Sequence, residues 1–185
     1  MSYNSDKIHI DGDVFEVLLS EEKIGSRVAE LGKQLSKDYK DSLPIFIGVL
    51  NGSVIFFADL IRNISIDCEV DFLKLSSYGD AKISSGKVTL LKELNCQIEN
   101  RDIVIVEDIV DTGLSIDYMK KLIEDHNPRS IKVVTLLHKS EATKYNVKLD
   151  YIGFIIPNKF VIGYGLDHSQ KYRNLKSIYA LINGK

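Results

Sequence analysis

The chain has 185 residues, with 24 basic and 26 acidic side chains that leave a formal net charge of −2 at pH 7. A chain of this length can bury one sizeable core and is short for two ordinary domains, so we expect a single domain over residues 1–185. The near-neutral charge argues against a general nucleic-acid-binding protein, which usually carries a clear basic excess.

The sequence carries no sign of export or membrane insertion. Residues 1–13 are polar and lack the apolar centre of a signal peptide, and no apolar run approaches the roughly 18–20 residues that cross a bilayer. Cys68 and Cys96 do not have metal-ligand spacing and are expected to be reduced thiols. These features predict a cytoplasmic protein.

The first part of the chain shows strand and helix patterns in alternation. Residues 14–19 are expected to form a short strand or an extended arm. Ser20 has the character of a helix N-cap, and apolar residues spaced by four, three and four predict an amphipathic helix to about residue 40. The next predicted elements are a strand at 45–50, a helix at 54–61 and a strand at 70–75.

Residues 76–92 differ from the segments around them because they are polar and rich in Ser and Gly. A loop of this length inside a compact domain is unusual, and such loops often act as lids. A solvated hairpin is the alternative interpretation.

The second part of the chain is centred on four consecutive apolar residues, 103–106. Because alternate strand residues point to opposite faces, both faces of this strand must be covered, as in the centre of a parallel sheet flanked by helices. Later patterns predict a helix at 115–125, strands at 131–137, 151–156 and 177–182, and a Gly-broken connection at 159–167. The alternation predicts an α/β fold with a mainly parallel sheet.

Acidic and hydroxyl side chains follow the central strand, at the sheet edge where open α/β folds bind ligands. Gly113 permits a tight turn, and the helix that begins there directs unpaired backbone N–H groups outward, which suits a phosphate. Thr112 and Ser115 add hydroxyl donors. Glu107 and Asp108 could hold ribose hydroxyls directly or through Mg²⁺, although adjacent strand residues point in opposite directions and are expected to have different tasks.

Asp111 lies inside this turn, where it would face a ligand. The alternative is that it only caps the following helix. The acids before it and the Thr-Gly pair after it favour the ligand-facing interpretation.

The segment Val104–Gly113 resembles the phosphoribosyl-diphosphate-binding motif of the type I phosphoribosyltransferases, and in particular that of the hypoxanthine-guanine branch of the family. Other segments agree with the family in order and spacing: Leu50–Ser53, Ser77–Tyr78, Leu136–Lys139, Lys159–Val161, Gly163–Asp167 and Tyr172–Arg173. The resemblance covers about residues 14–182. It implies the type I fold, with a mainly parallel central sheet flanked by helices, a small hood from about residues 1–20 and 155–185, and a mobile lid at about 76–92.

The resemblance also implies a Mg²⁺-dependent enzyme of purine salvage. It would transfer the 5-phosphoribosyl group of 5-phospho-α-D-ribose 1-diphosphate to N9 of hypoxanthine or guanine, with Asp111 as the general base. The ribose and its 5′-phosphate would lie on Glu107, Asp108, Asp111, Thr112, Gly113, Leu114 and Ser115. The diphosphate would bind Leu50, Asn51, Gly52 and Arg173, beneath a lid that starts at Ser77 and Tyr78. The metal would be held by Glu107, Asp108 and Asp167.

In the same resemblance, the purine would contact Lys139, Lys159, Phe160, Val161 and Asp167. Lys139 would donate a hydrogen bond to purine O6, which distinguishes 6-oxopurines from adenine. Phe160 would stack on the base. Without the resemblance, Lys139 would be taken for a surface lysine and Phe160 for a core aromatic.

Two residues depart from the family pattern. Asn51 stands where many relatives have Lys or Arg, which removes a positive charge near the diphosphate, and Leu114 replaces a Lys of some relatives. His138 and His168 lie near site segments and are expected to be bystanders. The resemblance further implies small-molecule substrates, a homodimer or homotetramer and, as in many relatives, a cis peptide near Asn51.

Two alternatives remain open. The first is an enzyme of the same fold with another base. Lys139, Phe160 and Val161 argue against adenine and uracil but do not exclude xanthine. The second is a regulatory protein that keeps the ligand site and binds nucleic acid, against which the near-neutral charge and the presence of Asp111 both count.

Overall fold

A computed structural model of the chain describes residues 6–77, 88–92 and 94–183. Within these ranges the chain forms ten strands and three helices. The strands are β1 (Lys7–Ile10), β2 (Asp13–Leu19), β3 (Ile45–Leu50), β4 (Glu69–Ser77), β5 (Val88–Lys92), β6 (Asp102–Val110), β7 (Ser130–His138), β8 (Tyr151–Ile155), β9 (Val161–Ile162) and β10 (Ile178–Asn183). The helices are α1 (Glu21–Asp38), α2 (Val54–Arg62) and α3 (Leu114–Glu124).

A six-stranded sheet in the order β5-β4-β3-β6-β7-β8 carries the fold. All neighbouring strands in it run parallel except β5, which is antiparallel to β4. The apolar run 103–106 lies in β6, and each of its side chains is 0% exposed. The predicted α/β fold, with a buried central strand in a mainly parallel sheet, is therefore confirmed.

The helices cover both faces of this sheet. Ser20 caps α1 by accepting a hydrogen bond from the Lys23 N–H at 3.4 Å, and the apolar side of α1 packs with α2 against Val104 and Val106. Helix α3 covers the opposite face, where it packs over Ile105 and its neighbours. None of the helices within the described ranges is long and apolar enough to span a membrane.

A second sheet, in the order β1-β2-β10-β9, brings the N-terminal and C-terminal segments together. All of its strand pairs are antiparallel. Its own small core consists of Ile8, Ile10, Phe15, Ile162, Leu175 and Tyr179. This sheet corresponds to the hood expected from the two terminal segments.

Several element boundaries differ from the sequence prediction. β1 was not predicted, because a four-residue strand obtains its hydrogen bonds only from its partner β2. β6 does not end at Val106 but continues to Val110, because β7 pairs with it as far as His138. Glu107 and Asp108 consequently lie inside the strand rather than after it. The connection predicted at 159–167 contains the short strand β9.

The loop expected at 76–92 is a pair of strands at its two ends, while its role as a lid stays a prediction. β4 continues through Ser77, and β5 occupies Val88–Lys92, so the two ends of this range pair with each other as antiparallel strands. The alternative interpretation, a hairpin, therefore applies to the residues at the two ends of this segment. Tyr78 and the rest of 78–87 lie outside the described residues.

Asp71 in β4 holds the chain that follows β5. Its side chain is buried, and its carboxylate accepts hydrogen bonds from the backbone N–H groups of Phe72, Asn95 and Cys96 at 2.7, 2.6 and 3.1 Å. The Lys92 ammonium lies 3.2 Å away. Burial alone would raise the pKa of Asp71, but these donors outweigh it and hold the pKa well below its usual range.

Asp71→Asn should lower the free energy of unfolding at neutral pH by about 3 kcal/mol, because it removes the charge that three N–H groups and an ammonium share. The pKa of the Asp71 carboxyl is lower in the folded protein than in the unfolded chain, where it is about 3.9. The charged group therefore stabilises the folded protein fully above that pH, and this stabilisation is lost as the pH falls toward the folded-state pKa. Urea titrations at a series of pH values should show the stability difference between wild type and variant shrinking below about pH 4.

Asp41→Asn is the matched control, because the Asp41 side chain is 86% exposed. That variant should be as stable as the wild type across the series. A stability of Asp71→Asn equal to that of the wild type at neutral pH would contradict the assigned role.

Candidate active site

A tight loop joins β6 to α3 and lines one concavity. Residues 109–116 line this concavity together with Glu107. Gly113 has φ +87°, a conformation that L side chains rarely adopt, and a Cβ added there would lie 3.0 Å from Val147 Cγ2. The loop therefore needs glycine for both its turn and its packing.

The segment after β7 supports this loop from behind. The N–H groups of Lys144 and Tyr145 both donate to the Thr112 carbonyl, at 2.9 and 3.1 Å. The Thr143 hydroxyl lies 3.0 Å from the Asp111 carbonyl oxygen. The sequence analysis did not single out residues 143–145, because nothing in their local pattern indicates a contact with a loop about 30 residues away along the chain.

Glu107 and Asp108 point to different neighbours. Glu107 faces the loop concavity and is buried, and its Oε2 has no hydrogen-bond partner among the described residues. Burial, reinforced by the charge of Asp108, raises the pKa of Glu107 well above its usual range. Asp108 instead lies against the β3–α2 turn, where a Cβ added at Gly52 would be 1.9 Å from Asp108 Oδ2.

Asp108 titrates in an environment of mixed charge. Burial raises the pKa of its carboxyl to about 6, while the hydrogen bond from the Ile109 N–H at 2.9 Å and the positive charge of Arg173 oppose the rise. The negative charge of Asp167 adds to it. These interactions connect the end of β6 electrostatically with the segment before β10.

Asp111 and Lys139 form an ion pair at the mouth of the loop. Lys139 Nζ lies 3.0 Å from Asp111 Oδ2. Lys139 is buried, so it is not a surface lysine, whereas the Asp111 side chain is 48% exposed. The backbone supports the pair, because the Lys139 N–H donates to the Val110 carbonyl at 2.9 Å.

The turn after β3 contacts the loop before β10 through two glycines, Gly52 and Gly165, so backbone meets backbone there without side chains between. The peptide bond between Leu50 and Asn51 is cis. Gly165 has φ +100°, and a Cβ added to it would lie 2.1 Å from the Gly52 carbonyl oxygen. The Arg173 guanidinium donates to the Gly165 carbonyl at 2.8 Å, so the residues expected at the diphosphate, Leu50, Asn51, Gly52 and Arg173, are adjacent.

Asp167 and Arg173 are paired in the same loop. Arg173 Nη2 lies 2.7 Å from Asp167 Oδ1, and Asp167 Oδ2 accepts the Gln170 N–H at 2.9 Å. No group of three or more His, Cys, Asp or Glu side chains that could hold a metal ion by itself occurs within the described ranges. The acids available here, Asp108 and Asp167, are separate carboxylates beside the turn that the sequence analysis expects at the diphosphate.

Phe160 stands at the hood side of the site. It is 44% exposed and is therefore not a core aromatic. Its ring meets Phe15 edge-on at 6.2 Å and His168 at 5.6 Å between ring centroids. Phe15 belongs to β2, and no local sequence pattern indicates that it would support this ring.

The neighbours of Phe160 have different exposures. Lys159 is exposed, whereas Val161 is buried in β9 and pairs with Ala180. His168 contacts Phe160 and stacks at 6.5 Å on Tyr172. Ser77 is the last residue of β4, and the remaining predicted lid residue, Tyr78, is not among those described.

Gly165→Ala should lower the free energy of unfolding by about 2 kcal/mol, because it forces a side chain into a left-handed backbone conformation and against the Gly52 carbonyl. Gly25→Ala is the matched control. Gly25 lies in α1 with nothing within 4 Å of an added Cβ, so that change should raise stability by about 0.5–1 kcal/mol. Chemical denaturation measures both, and two variants of equal stability would refute the close contact at Gly165.

Comparison with known proteins agrees with this arrangement. The model of the phosphoribosyl transferase domain matches residues 16–169. A hypoxanthine-guanine phosphoribosyltransferase from Bacillus subtilis (strain 168) is 47% identical over 169 residues, which are 91% of this chain and 94% of that protein. One from Mycobacterium tuberculosis (strain ATCC 25618 / H37Rv) is 44% identical over 92% of this chain and 87% of its own length.

Solved structures agree as well. The crystal structure of a hypoxanthine phosphoribosyltransferase from Staphylococcus aureus superimposes with a TM-score of 0.88 at 39% identity, covering 98% of this chain and 97% of that one. The fold implied by the sequence resemblance is thereby confirmed, and the chain belongs to the phosphoribosyltransferase family.

Proposed function

We propose that this protein transfers the 5-phosphoribosyl group of 5-phospho-α-D-ribose 1-diphosphate to N9 of hypoxanthine or guanine, giving IMP or GMP and diphosphate. The observation that carries the proposal is the Asp111–Lys139 pair, an acceptor and a buried cationic donor 3.0 Å apart beside a phosphate-type loop. The names of the relatives at 44–47% identity support the same activity.

The pair is complementary to one edge of a 6-oxopurine. Lys139 would donate to O6, and Asp111 would accept the imidazole proton at N7 as N9 bonds to the ribose carbon and the diphosphate departs. The carboxylate would also stabilise positive charge that develops nearby. Phe160, exposed and held edge-on by Phe15, would stack on the face of the base.

The remaining parts of the phosphoribosyl substrate have matching surfaces. The 5′-phosphate would lie on Asp111–Ser115, where backbone N–H groups at the start of α3 provide donors. Ribose hydroxyls would approach Glu107 and Asp108. The diphosphate would lie on Leu50, Asn51 and Gly52 and be held by Arg173, whose planar guanidinium donates several hydrogen bonds to one anion.

Asn51 supplies no positive charge at this turn. The positive charge that balances the diphosphate would therefore come from Arg173 and from a metal ion rather than from residue 51. Arg173 would therefore contribute more to diphosphate binding here than in a site that also has Lys or Arg at position 51.

We further propose that Mg²⁺ assists the reaction. The donor set fits, because Mg²⁺ is usually bound through one or two carboxylates plus substrate phosphates rather than by a protein cage. Asp167 and Asp108 offer carboxylates beside the turn that would bind the diphosphate. Glu107 would lie close to the ribose, and its buried Oε2 has no hydrogen-bond partner among the described residues. When bound, the ion would neutralise charge on the departing diphosphate.

From its length and sequence features, we propose that the protein acts as a single domain in the cytoplasm. The family resemblance implies that it assembles as a homodimer or homotetramer. The substrates are small molecules.

The first experiment is a direct assay. The protein with phosphoribosyl diphosphate and Mg²⁺ should form nucleotide with hypoxanthine or guanine and not with adenine, measured by chromatography of the products. Xanthine tests the remaining alternative within the same fold. The absence of product with every 6-oxopurine would refute the proposed activity.

Asp111→Asn should lower kcat on the order of 100-fold, because it removes the proton acceptor. The KM for phosphoribosyl diphosphate should change by less than about threefold, since the loop backbone remains. Steady-state kinetics measures both, and an unchanged kcat would remove Asp111 from the general-base role.

Lys139→Gln should lower kcat/KM for hypoxanthine by about 10–100-fold, because a charged hydrogen bond to O6 is lost. Lys33→Gln is the control, since Lys33 is exposed in α1, and it should retain wild-type kinetics. A similar loss in both variants would show that Lys139 has no special contact with the base.

A further inference from the structure

The turn after β7 holds a hydroxyl group between the two residues that would act on the base. Thr143 Oγ1 lies 3.0 Å from the Asp111 carbonyl oxygen and 3.1 Å from the Lys139 carbonyl oxygen. His138 Nε2 lies 3.0 Å from the same hydroxyl oxygen. One side chain therefore contacts the backbone of both Asp111 and Lys139.

The proton arrangement follows from counting donors. A threonine hydroxyl has one proton and accepts through its lone pairs. His138 Nδ1 is buried and has no partner among the described residues. A buried N–H without a partner costs more than an unused lone pair, so the proton belongs on Nε2, which donates to Thr143.

The hydroxyl proton of Thr143 is then directed to a carbonyl. The Lys139 carbonyl already accepts the Ala142 N–H at 3.0 Å, so the Asp111 carbonyl is the acceptor that gains most from the hydroxyl. The resulting chain of donors runs from His138 through Thr143 to the backbone of Asp111.

The contact between the Thr143 hydroxyl and the Asp111 carbonyl lies just beyond the last residues of β6 and β7 that pair in the sheet. The ladder between β6 and β7 ends with Val110 opposite His138, and the Lys139 N–H makes the last backbone bond to Val110. Asp111 lies one residue beyond. Its carboxylate is half exposed and is tied to the protein by Lys139.

Binding of the purine base would break the ion pair between Asp111 and Lys139. In the proposed reaction Lys139 turns its ammonium toward purine O6, and Asp111 must remain in place to accept the N7 proton. The Thr143 hydroxyl bonds the main chain rather than the carboxylate, so it can persist through this exchange without competing for the proton.

We propose that Thr143, with its hydroxyl oriented by His138, is a positioning residue that fixes Asp111 relative to Lys139 while the base is bound. The inference rests on the proposed function, because it concerns the geometry of that proton transfer. Neither side chain need touch the substrate.

The test is Thr143→Val, which keeps the shape of the side chain and removes the hydroxyl. It should lower kcat with hypoxanthine about tenfold, since small misplacements of a reacting group are costly. The KM for phosphoribosyl diphosphate should be unchanged, because the loop that would bind the phosphate retains its own backbone bonds to Lys144 and Tyr145.

Two controls separate the hydroxyl from general damage to the turn. Thr143→Ser restores the hydroxyl and should recover most of the lost kcat. Ser140→Ala removes an exposed hydroxyl from the same turn and should behave as the wild type. If Thr143→Val does not fold, His138→Leu carries the same test, because it releases the hydroxyl from its orienting partner.

A double variant tests whether Thr143 acts through Asp111. In the Asp111→Asn background, adding Thr143→Val should change kcat by less than about twofold, because the group being positioned is already lost. An equal tenfold loss in both backgrounds would overturn the inference, as would a kcat unaffected by Thr143→Val in the wild type.

The two proposals fail in different ways. A wild-type protein that forms no nucleotide with any 6-oxopurine refutes the proposed function, and the inference with it. An active wild type whose Thr143→Val variant is equally active, or loses only thermal stability, refutes the inference alone.

Discussion

The pairing of β6 with β7 is the interaction on which the site depends. Parallel strands keep a fixed register, and here the pairing of β6 with β7 brings Val110 opposite His138 at the ends of the two strands. The residue that follows each strand is ionisable: Asp111 follows β6 and Lys139 follows β7. Their 3.0 Å contact is therefore a direct consequence of where the ladder ends.

The register is itself held by burial. The four apolar residues at the start of β6 are fully enclosed between α1 and α2 on one side and α3 on the other. A slip by one residue would exchange the faces and move every side chain into the wrong layer. The hydrophobic core thus fixes the positions of charged groups that contribute nothing to it.

Charge in the site is arranged in pairs that a substrate can replace. Lys139 is paired with Asp111, and Arg173 is paired with Asp167. Glu107 has no such partner in the part of the chain that the structure describes, and burial raises its pKa. A ligand that carries phosphate groups and a carbonyl oxygen would provide new partners for both cations, so Lys139 and Arg173 would each have a partner in either state.

Close contact between backbones joins the main sheet to the hood. Gly52 leaves no room for a side chain beside Asp108, and Gly165 leaves none beside Gly52. The turn after β3, the strand β6 at Asp108 and the loop before β10 therefore meet in close contact. Bulkier residues would hold these loops apart and separate the acids from Arg173.

The sequence by itself determined the class of the fold and the identity of the central motif. An uninterrupted apolar run, if it forms a strand, must be covered on both faces. The acids, Thr112 and Gly113 that follow it are neighbours in the sequence, so the motif is recognisable without the fold. Most element positions followed from period and capping in the same way. The resemblance to a known family extended this to the expected purine and diphosphate residues.

Only the tertiary structure decided which distant residues meet. The length of β6 depended on its pairing with β7, β1 depended on β2, and the ends of the expected lid became paired strands. The support of Phe160 by Phe15, the contact of Asp108 with Gly52 and the link from Thr143 to Asp111 join segments far apart in the chain. Periodicity and motif spacing describe neighbours along the chain, whereas these contacts are set by how the packed layers bring their ends together.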